Sequence, residues 1–372
     1  MRGIIDRIAL VGPLPPPFGG MANQTKQLAS KLVAEGVEVE LIQTNVPYKP
    51  AWVGKVPFIR AGFRLIPYLY TLWRAAGHQR LFHIMANSGW SWHLFAAPAV
   101  WIASFRRCAI VVNYRGGEAD SFFSRSFRFV APTLRRAHLV IVPSRYLQEI
   151  FEKYGIKAEV VPNHVNLERF SPQERLCGGN WPNLIICRNL EPIYGISVAL
   201  QAFAQIRKRF PHARLLIAGS GSQRVELESL ARELGLAESV EFTGQLSSEE
   251  MVDFYHKGDL MLNPSNVDNS PNSLLESMAA GVPIITTDAG GIPYLVEHFK
   301  TAMLVPVGNP DAMAETAIYL LERPEVMASL RASGLAKVRN HCWQSVREKL
   351  FVSYCHALDR QSQLIDCFEK LN

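Results

Sequence analysis

Residues 260–287 of the chain are LMLNPSNVDNSPNSLLESMAAGVPIITT, and this stretch decides the fold prediction. Leu260–Asn263 is a short apolar run, Ser273–Ala280 contains helix-forming residues, and Val282–Thr287 has the composition of a strand. Gly281 stands where a glycine commonly ends a helix. The stretch therefore predicts a strand, a loop, a short helix and a second strand.

The same alternation of strands and helices extends along the whole chain. Helical patterns such as 21–34 and 197–210 separate the strand-like runs. The predicted strands are 8–11, 37–44, 81–86, 109–114, 139–143 and 158–162, followed by 184–187, 215–218, 240–242, 260–263, 283–287 and 303–307. Such alternation predicts parallel sheets covered by helices on both faces, and two series predict two doubly wound Rossmann-like domains of the α/β class, facing across a cleft.

Proline and glycine residues interrupt this rhythm over 162–183 and predict a linker between the two domains. We predict an N-terminal domain over 1–165, the linker over 166–183 and a C-terminal domain over 184–340. Residues 341–372 form a final helical segment.

Composition indicates a globular chain that has 372 residues, of which 48% are hydrophobic and 19% are charged. The six cysteines form no CxxC pair and no His/Cys metal spacing, so we expect reduced thiols and no metal site. With no signal-peptide pattern, the sequence predicts a cytoplasmic protein. The uncharged run Leu81–Phe105 carries polar residues and a proline, which favours a buried strand, a turn and a buried helix over a transmembrane span.

Basic residues are concentrated in the first half of the chain. Residues 1–175 hold 22 Lys/Arg and 11 Asp/Glu, a net charge of +11, whereas 176–372 hold 17 and 22, a net charge of −5. Basic and aromatic residues interleave over 48–80, which suits the anionic surface of a membrane. A solvated basic face around a packed helix is the alternative interpretation. The sequence contains no nucleic-acid-binding module, so we predict no nucleic acid partner.

Two acids, Asp268 and Glu276, flank the start of the predicted helix. Asp268 would lie in the loop and Glu276 about one turn inside the helix. The backbone amides of Asn272, Ser273 and Leu274 would open the helix N-terminus, which is a ready-made anion site. A nucleotide diphosphate sugar needs such a set, because amides bind phosphate and carboxylates bind sugar and ribose hydroxyls. An ordinary helix with an acidic first turn is the competing interpretation.

Several motifs occur together in an order that resembles the retaining glycosyltransferases of family 4, which have the GT-B fold. The likeness covers nearly the whole chain. The motifs are Gly19-Gly20 after the first strand, Val161-Pro162-Asn163-His164 between the domains, Gly219-Ser220-Gly221, the acid pair, and Gly290-Gly291. Trp343 and Tyr354 resemble the helix of this fold that returns to the N-terminal domain, which the resemblance assigns to 341–372.

This resemblance implies an EC 2.4 enzyme that moves a sugar from a nucleotide diphosphate sugar to a hydroxyl of a glycan or lipid-linked acceptor. It implies cell-envelope or exopolysaccharide synthesis at the inner face of a membrane. Glu276 would hold the donor ribose, and Asp268, where the family usually has Glu, would touch the transferred sugar. Gly19, Gly20 and Gly221 would let the backbone approach the substrate closely. No cofactor or metal is implied, since the chain lacks a DxD motif.

Two basic positions depart from the family pattern. Asn189 and Tyr194 stand where the family has the Arg and Lys that grip the diphosphate, and Arg188 is one residue early. Neighbours on a strand point to opposite faces, so Arg188 can substitute only if the strand ends or bulges there; otherwise Arg188 is structural. Arg115 stands where the family often has His. Because arginine stays protonated, we expect it to clamp a donor phosphate, with an acceptor phosphate as the alternative.

These departures keep a second class open, namely a catalytically degenerate GT-B protein that binds a sugar nucleotide or a partner. A Rossmann oxidoreductase is disfavoured, because Gly219-Ser220-Gly221 lacks the third glycine of that motif. We expect His83 to be a core or rim residue. Trp90 and Trp92 would either pack in the protein, which is the favoured interpretation, or stack on a sugar. Glu118 would either bind acceptor hydroxyls or cap the following helix.

Overall fold

The computed structural model describes residues 5–16, 19–47, 59–173 and 181–369, and their side chains except those of 59–61 and 364–369. The chain divides into two compact units. Unit 1 comprises Met1–Pro162 and Arg347–Asn372, and unit 2 comprises Asn163–Val346. Each unit has a parallel six-stranded sheet with flanking helices, which confirms the predicted α/β class with two Rossmann-like domains.

Unit 1 contains a sheet with the strand order β2-β1-β3-β4-β5-β6, in which every pairing is parallel. The strands are β1 (Arg7–Gly12), β2 (Glu38–Gln43), β3 (Leu81–Ala86), β4 (Ala109–Tyr114), β5 (Leu139–Val142) and β6 (Glu159–Val160). The helices are α1 (Gly20–Ala34), α2 (Ile59–Ala75), α3 (Ala97–Phe105), α4 (Ala119–Leu134) and α5 (Arg145–Lys153). The strand order reverses between β1 and β3, and open α/β sheets bind ligands at the carboxyl ends of such strands.

The uncharged run Leu81–Phe105 forms the predicted strand, turn and helix, but the helix is only partly buried, since Trp101 and Phe105 are exposed. All six residues of β3 are buried, a π-helical turn covers Trp92–Ala96, and α3 follows it directly. A strand that is buried on both faces has a continuous apolar sequence. This explains why the uncharged run begins with β3 and continues into the helix that packs on the sheet. Among the described residues, no helix is both long enough and apolar enough to cross a membrane.

Unit 2 contains a second sheet with the order β12-β11-β10-β7-β8-β9, again parallel throughout. The strands are β7 (Asn183–Cys187), β8 (Arg214–Ala218), β9 (Val240–Gly244), β10 (Leu260–Asn263), β11 (Ile284–Thr287) and β12 (Met303–Val305). The helices are α6 (Ile196–Arg209), α7 (Arg224–Glu233), α8 (Ser248–Lys257), α9 (Asn272–Ala279), α10 (Ile292–Leu295), α11 (Pro310–Leu321), α12 (Pro324–Val338) and α13 (Trp343–Glu369), whose residues from Arg347 on belong to unit 1. Here the order reverses between β7 and β10.

The stretch that decided the fold prediction forms β10, α9 and β11. Apolar residues of α9, including Leu274 and Met278, pack against the sheet in one hydrophobic cluster. The helix ends as expected, because Gly281 has φ of +71°, a conformation that glycine adopts at little cost. The short helix is therefore anchored by its buried face, and its N-terminus lies at the edge where β10 ends.

Candidate functional site

The candidate site of unit 2 lies where the strand order of its sheet reverses. β7 and β10 are neighbours in the sheet, and the chain leaves both at the same edge because they run parallel. Arg188 directly follows β7, and the loop that carries Asp268 follows β10. The topology thus places Arg188 beside Asp268.

Arg188 and Asp268 form an ion pair with 2.5 Å between Nη2 and Oδ2. Both side chains are largely buried, with 11% and 13% of their surfaces exposed. The Arg188 guanidinium also lies over the ring of Tyr194, with 5.2 Å between Cζ and the ring centroid. Since β7 ends at Cys187, the chain meets the condition under which Arg188 can turn into the site. Tyr194, which stands at the family's Lys position, supports the guanidinium by cation–π attraction.

Asn263 and two glycines hold this pair in place. The Asn263 side chain accepts a hydrogen bond from Arg188 Nε at 2.7 Å and donates one to Thr286 Oγ1 at 2.8 Å. The amide of Gly291 donates to the backbone oxygen of Asp268 at 2.9 Å. A Cβ on Gly290 would lie 2.2 Å from that oxygen, so the close approach requires glycine. The Gly290-Gly291 motif therefore fixes the position of Asp268.

The N-terminus of α9 lies where the sequence predicts an anion site, and anion binding there stays a prediction. α9 begins at Asn272, and the hydroxyl of Ser273 is buried without a hydrogen-bond partner among the described residues. The amide of Leu274 already donates to Pro271 O at 3.2 Å. Asn163 Nδ2 donates to Ser270 O and to Asn272 Oδ1, so the interdomain motif fixes the loop before the helix. The amides of Asn272 and Ser273 and the Ser273 hydroxyl remain suited to phosphate oxygens.

Glu276 lies one turn inside α9 and is partly buried. Tyr255 Oη donates a hydrogen bond to Glu276 Oε2 at 2.9 Å. Burial raises the pKa of the Glu276 carboxyl to about 7, and the Tyr255 hydrogen bond and the charges of Arg169 and Arg188 oppose this rise. Burial also raises the pKa of the neighbouring Cys187 thiol to about 12, so this cysteine remains protonated. The Glu276 carboxyl therefore ionises near neutral pH.

Gly221 and the turn around it pack against the segment that carries Arg188. A Cβ on Gly219 would lie 1.9 Å from Arg188 O, and one on Gly221 would lie 2.3 Å from Leu190 O. Glycines are therefore needed after β8 because this turn packs closely against the segment that follows β7. The sequence did not reveal this reason for the two glycines. A donor contact at Gly221 stays a prediction.

Arg115, Gly19 and Gly20 belong to unit 1. Arg115 follows β4 and its amide donates to Ala86 O at 2.9 Å. Burial lowers the pKa of Arg115 to about 10, so the side chain is protonated at neutral pH. Gly19 is extended, Gly20 begins α1, and a Cβ on either would have no neighbour within 4 Å among the residues that the structure describes. A ligand contact at these two glycines stays a prediction.

His83 packs in the core of unit 1, as predicted. Its Nδ1 lies 2.8 Å from Tyr354 Oη and its Nε2 lies 3.0 Å from Asn113 Nδ2. Burial, followed by the charge of Arg115, lowers the pKa of His83 to about 3. The ring therefore stays neutral and connects α13 to the sheet.

The two tryptophans after β3 differ in burial. Trp92 is fully buried, as the favoured interpretation predicts, but 77% of the Trp90 surface is exposed, so packing in the protein is wrong for Trp90. The residue lies between Gly89, whose φ is +67°, and the π-helical turn, which rotates successive side chains away from α-helical spacing. Glu118 is the N-cap residue of α4, yet its side chain makes no cap hydrogen bond.

Sequence reasoning missed the residues that support the acids. Tyr255 lies on α8 and Asn263 ends β10, and neither belongs to a recognisable motif. A polar residue at the end of the apolar run LMLN was the available signal for Asn263. Tyr255 gave no signal, because an aromatic residue on an amphipathic helix is ordinarily a core residue. Within the described part of the chain, no three His, Cys, Asp or Glu side chains form a group that could hold a metal ion.

Comparison with known families agrees with this fold. Residues 174–336 match the family model described as glycosyl transferases group 1, and residues 18–169 match the one described as glycosyltransferase family 4. Together these matches and the two Rossmann-like units define a GT-B glycosyltransferase. The chain belongs to the group 1, family 4 glycosyltransferases, and it is an enzyme of the EC 2.4 class.

Named relatives align with nearly the whole chain. A GDP-mannose-dependent alpha-(1-6)-phosphatidylinositol monomannoside mannosyltransferase of Mycobacterium tuberculosis is 26% identical, covering 93% of this chain and 97% of the relative. A D-inositol 3-phosphate glycosyltransferase of Corynebacterium jeikeium is 25% identical, covering 94% and 96%. These matches do not favour the alternative of a non-catalytic binding protein.

Solved structures share the fold. Sucrose-phosphate synthase from Thermosynechococcus elongatus superposes with a TM-score of 0.75 at 20% identity, covering 97% of this chain and 100% of the other. Anabaena Alr3699/HepE, solved in complex with UDP and glucose, gives a TM-score of 0.71 at 17% identity, covering 94% and 99%. At these identities, the likeness establishes the fold alone.

Proposed function

We propose that the chain transfers a sugar, with retention of configuration, from a nucleotide diphosphate sugar bound in unit 2 to a hydroxyl of a glycan or lipid-linked acceptor. The grouping of the Arg188–Asp268 pair, Glu276 and the start of α9 at one edge of the sheet carries this proposal. The chemistry of this group matches each part of such a donor, since it offers a cation and amides for phosphate and carboxylates for hydroxyls. Synthesis of cell-envelope glycans in the cytoplasm is the proposed context.

In this proposal, Glu276 accepts hydrogen bonds from the ribose hydroxyls, and Asp268 contacts the transferred sugar. Ser273 Oγ and the first amides of α9 bind a phosphate oxygen. Arg188 stabilises the negative charge that develops on the leaving diphosphate. The acceptor hydroxyl attacks on the face from which the diphosphate leaves, and a phosphate oxygen takes its proton, so no separate general base is needed.

Arg115 is proposed to bind a donor phosphate from unit 1. Its guanidinium is protonated and partly buried, and guanidinium groups commonly bind phosphate through two parallel N–H donors. This contribution would compensate for Tyr194, which stands where the family has a Lys. A phosphate on the acceptor is the alternative ligand.

A thermal-shift experiment with UDP-glucose and GDP-mannose tests the donor site. We expect one of these nucleotide sugars to raise the melting temperature of the wild type but not of Glu276→Ala, because a ligand stabilises only the state that binds it. Glu315→Ala, an exposed change on α11 of the same unit, is the matched control and should keep the shift. If neither compound shifts the wild type, or if Glu276→Ala responds like the wild type, the proposed donor site is wrong.

The predicted membrane contact falls partly on residues 48–58, which lie outside the described part of the chain. In the described part, α2 exposes large apolar side chains at helical spacing, namely Phe63, Ile66, Tyr70 and Trp73. Phe105 packs beside Trp73, and the Arg106 guanidinium lies 5.1 Å from the Trp73 ring centroid. We propose that this face of α2 docks on an anionic bilayer at the inner face of a membrane, since exposed aromatics flanked by arginines suit that interface.

Vesicle sedimentation tests the docking face. Wild type should sediment with vesicles that contain about one third phosphatidylglycerol and stay in solution with pure phosphatidylcholine. The double variant Ile66→Ser/Tyr70→Ser should lose binding, while Val225→Ser, an equally exposed apolar position of unit 2, should retain it. Binding that is indifferent to lipid charge or to the double substitution would rule out this face.

A further inference from the structure

A pocket lies in unit 1 at the edge of its sheet, and nothing in the proposed donor chemistry uses it. The cavity has a volume of about 410 Å³, within the range of small-ligand sites. Its walls come from the segment after β3 and from the start of α4. We call it the Trp90 pocket, and its principal lining residues are Ser88, Trp90, His93, Glu118, Phe122 and Arg125.

The position of the Trp90 pocket follows from the sheet topology. The chain leaves β3 just before Ser88 and leaves β4 just before Glu118, at the carboxyl edge that binds ligands in open α/β sheets. Ser88 Oγ lies 2.7 Å from Tyr114 Oη, which ties the two exits together. A Cβ on Gly116 would lie 2.4 Å from Ser88 Oγ, so a larger residue there would displace this hydroxyl. The hydrogen bond between Ser88 and Tyr114 therefore holds one lining residue of the pocket in place.

One wall of the pocket is aromatic and open to solvent. Trp90 keeps 77% of its surface exposed although its neighbour Trp92 is fully buried. The Trp90 and His93 ring centroids are 6.3 Å apart, and those of His93 and Phe122 are 5.9 Å apart, so the three rings form a continuous row. Leaving a large apolar face in water is unfavourable, and π-helical turns such as the one beside Trp90 occur frequently at functional sites.

The polar groups of the pocket are available to a ligand. Glu118 and Arg125 are exposed, and neither makes an ion pair or a side-chain hydrogen bond with any residue that the structure describes. Together they contribute one negative and one positive charge. A carboxylate accepts two hydroxyl hydrogen bonds and a guanidinium donates several in one plane. A phosphate would be repelled by Glu118, whereas a neutral polyol can bond to both groups.

We propose that the Trp90 pocket binds a neutral pyranose ring of the acceptor, with its C–H face stacked on Trp90 and its hydroxyls bonded to Glu118 and Arg125. This inference rests on the proposed glycosyl transfer, and it names the acceptor chemistry as carbohydrate at this subsite. An apolar platform with convergent polar groups matches a sugar, which presents one C–H face and an edge of hydroxyls. The pocket thus selects the acceptor independently of the donor chemistry in unit 2.

Saturation-transfer NMR with the methyl α-glycosides of glucose, mannose and galactose tests the proposal on the full chain. Wild type should transfer saturation to the ring C–H protons of at least one glycoside. Trp90→Ala should abolish the signal, and Glu118→Gln should weaken binding by about tenfold, the worth of one charged hydrogen bond. Trp181→Ala removes another exposed tryptophan, 63% exposed and in unit 2, and should leave the signal unchanged.

The same samples separate this inference from the donor proposal. Because Trp90 is exposed, its replacement should preserve the circular dichroism spectrum and the thermal shift by the nucleotide sugar. A wild type that responds to a nucleotide sugar but binds none of the three glycosides, or binds them equally well in Trp90→Ala, overturns the Trp90 pocket alone. Glycoside binding that depends on Trp90, without any response to nucleotide sugars, overturns the donor site and leaves the pocket standing.

Discussion

Lowering the pH from about 8 to about 6 should weaken donor binding through Glu276, whose ionised form is the better acceptor for ribose hydroxyls. Burial raises the pKa of this carboxyl to about 7 in the unliganded protein, against the opposing effects of Tyr255, Arg169 and Arg188. The folded-state pKa lies above the usual value of 4.5, so acidification through pH 7 neutralises the group. The affinity of the protein for a donor whose ribose hydroxyls bond to the Glu276 carboxylate therefore decreases as the pH falls.

The magnitude follows from the ionised fraction. With a pKa of about 7, about nine-tenths of the Glu276 carboxyl is charged at pH 8 and about one tenth at pH 6. If only the carboxylate binds well, the Kd rises about tenfold over this interval, which corresponds to about 1.4 kcal/mol. An unperturbed carboxyl, with a pKa of 4.5, would give almost no change over the same interval.

Isothermal titration calorimetry with UDP-glucose or GDP-mannose measures this effect, since the diphosphate diester of a nucleotide sugar does not titrate near neutral pH. Glu276→Gln is the control, because its amide stays neutral, and its Kd should be weak and independent of pH. A wild-type Kd that is constant between pH 6 and 8, or a slope that persists in Glu276→Gln, would refute the reasoning. The first result would mean that Glu276 is not the titrating ligand.

Three further predictions concern the basic and buried residues. Arg188→Gln should weaken donor binding in calorimetry by about ten- to a hundredfold, since a hydrogen bond to a charged group is worth about 1.5–3 kcal/mol; unchanged affinity would mean that Arg188 only holds Asp268. Arg115→Ala should reduce nucleoside diphosphate release at least about tenfold while Arg115→Lys retains part of it, and full activity in Arg115→Ala would remove its proposed role. Unit 1 should lose about 2 kcal/mol of folding stability when the pH falls from 7.5 to 5. The reason is that His83, with a pKa of about 3 in the folded state, stays neutral there, whereas the unfolded state binds a proton. Hydrogen exchange of β3 amides should report this loss in wild type and not in His83→Gln, and equal pH slopes would contradict it.

The secondary structure was predictable because it depends on local pattern. Each of the twelve predicted strands has a counterpart in the structure, since an apolar run followed by a helical period is a property of neighbours in the chain. The observed ends of these strands differ from the predicted ends by one to a few residues. The strand predicted over 158–162, for example, is only Glu159–Val160, because Pro162 has no amide for a ladder and β6 lies at the edge of its sheet.

The candidate site was only partly predictable. Motif spacing indicated Asp268, Glu276 and the start of α9, because these residues are close in sequence. It left open whether Arg188 belongs to the site, since its partner is distant in the chain and becomes a neighbour only through the pairing of β7 with β10. The raised pKa of the Glu276 carboxyl likewise depends on its burial, which the hydrogen bond from Tyr255 opposes. No local sequence pattern encodes either effect.

By itself, the sequence determined the alternation of strands and helices, the family and the acidic loop, because each of these is written in residues that are near one another. Only the tertiary structure decided which side chains meet. It paired Arg188 with Asp268, placed Tyr255 against Glu276, and turned Trp90 outward while burying Trp92. Contacts of this kind depend on strand order and on the rotation of a π-helical turn, which are set by packing over the whole unit and not by any local run of residues.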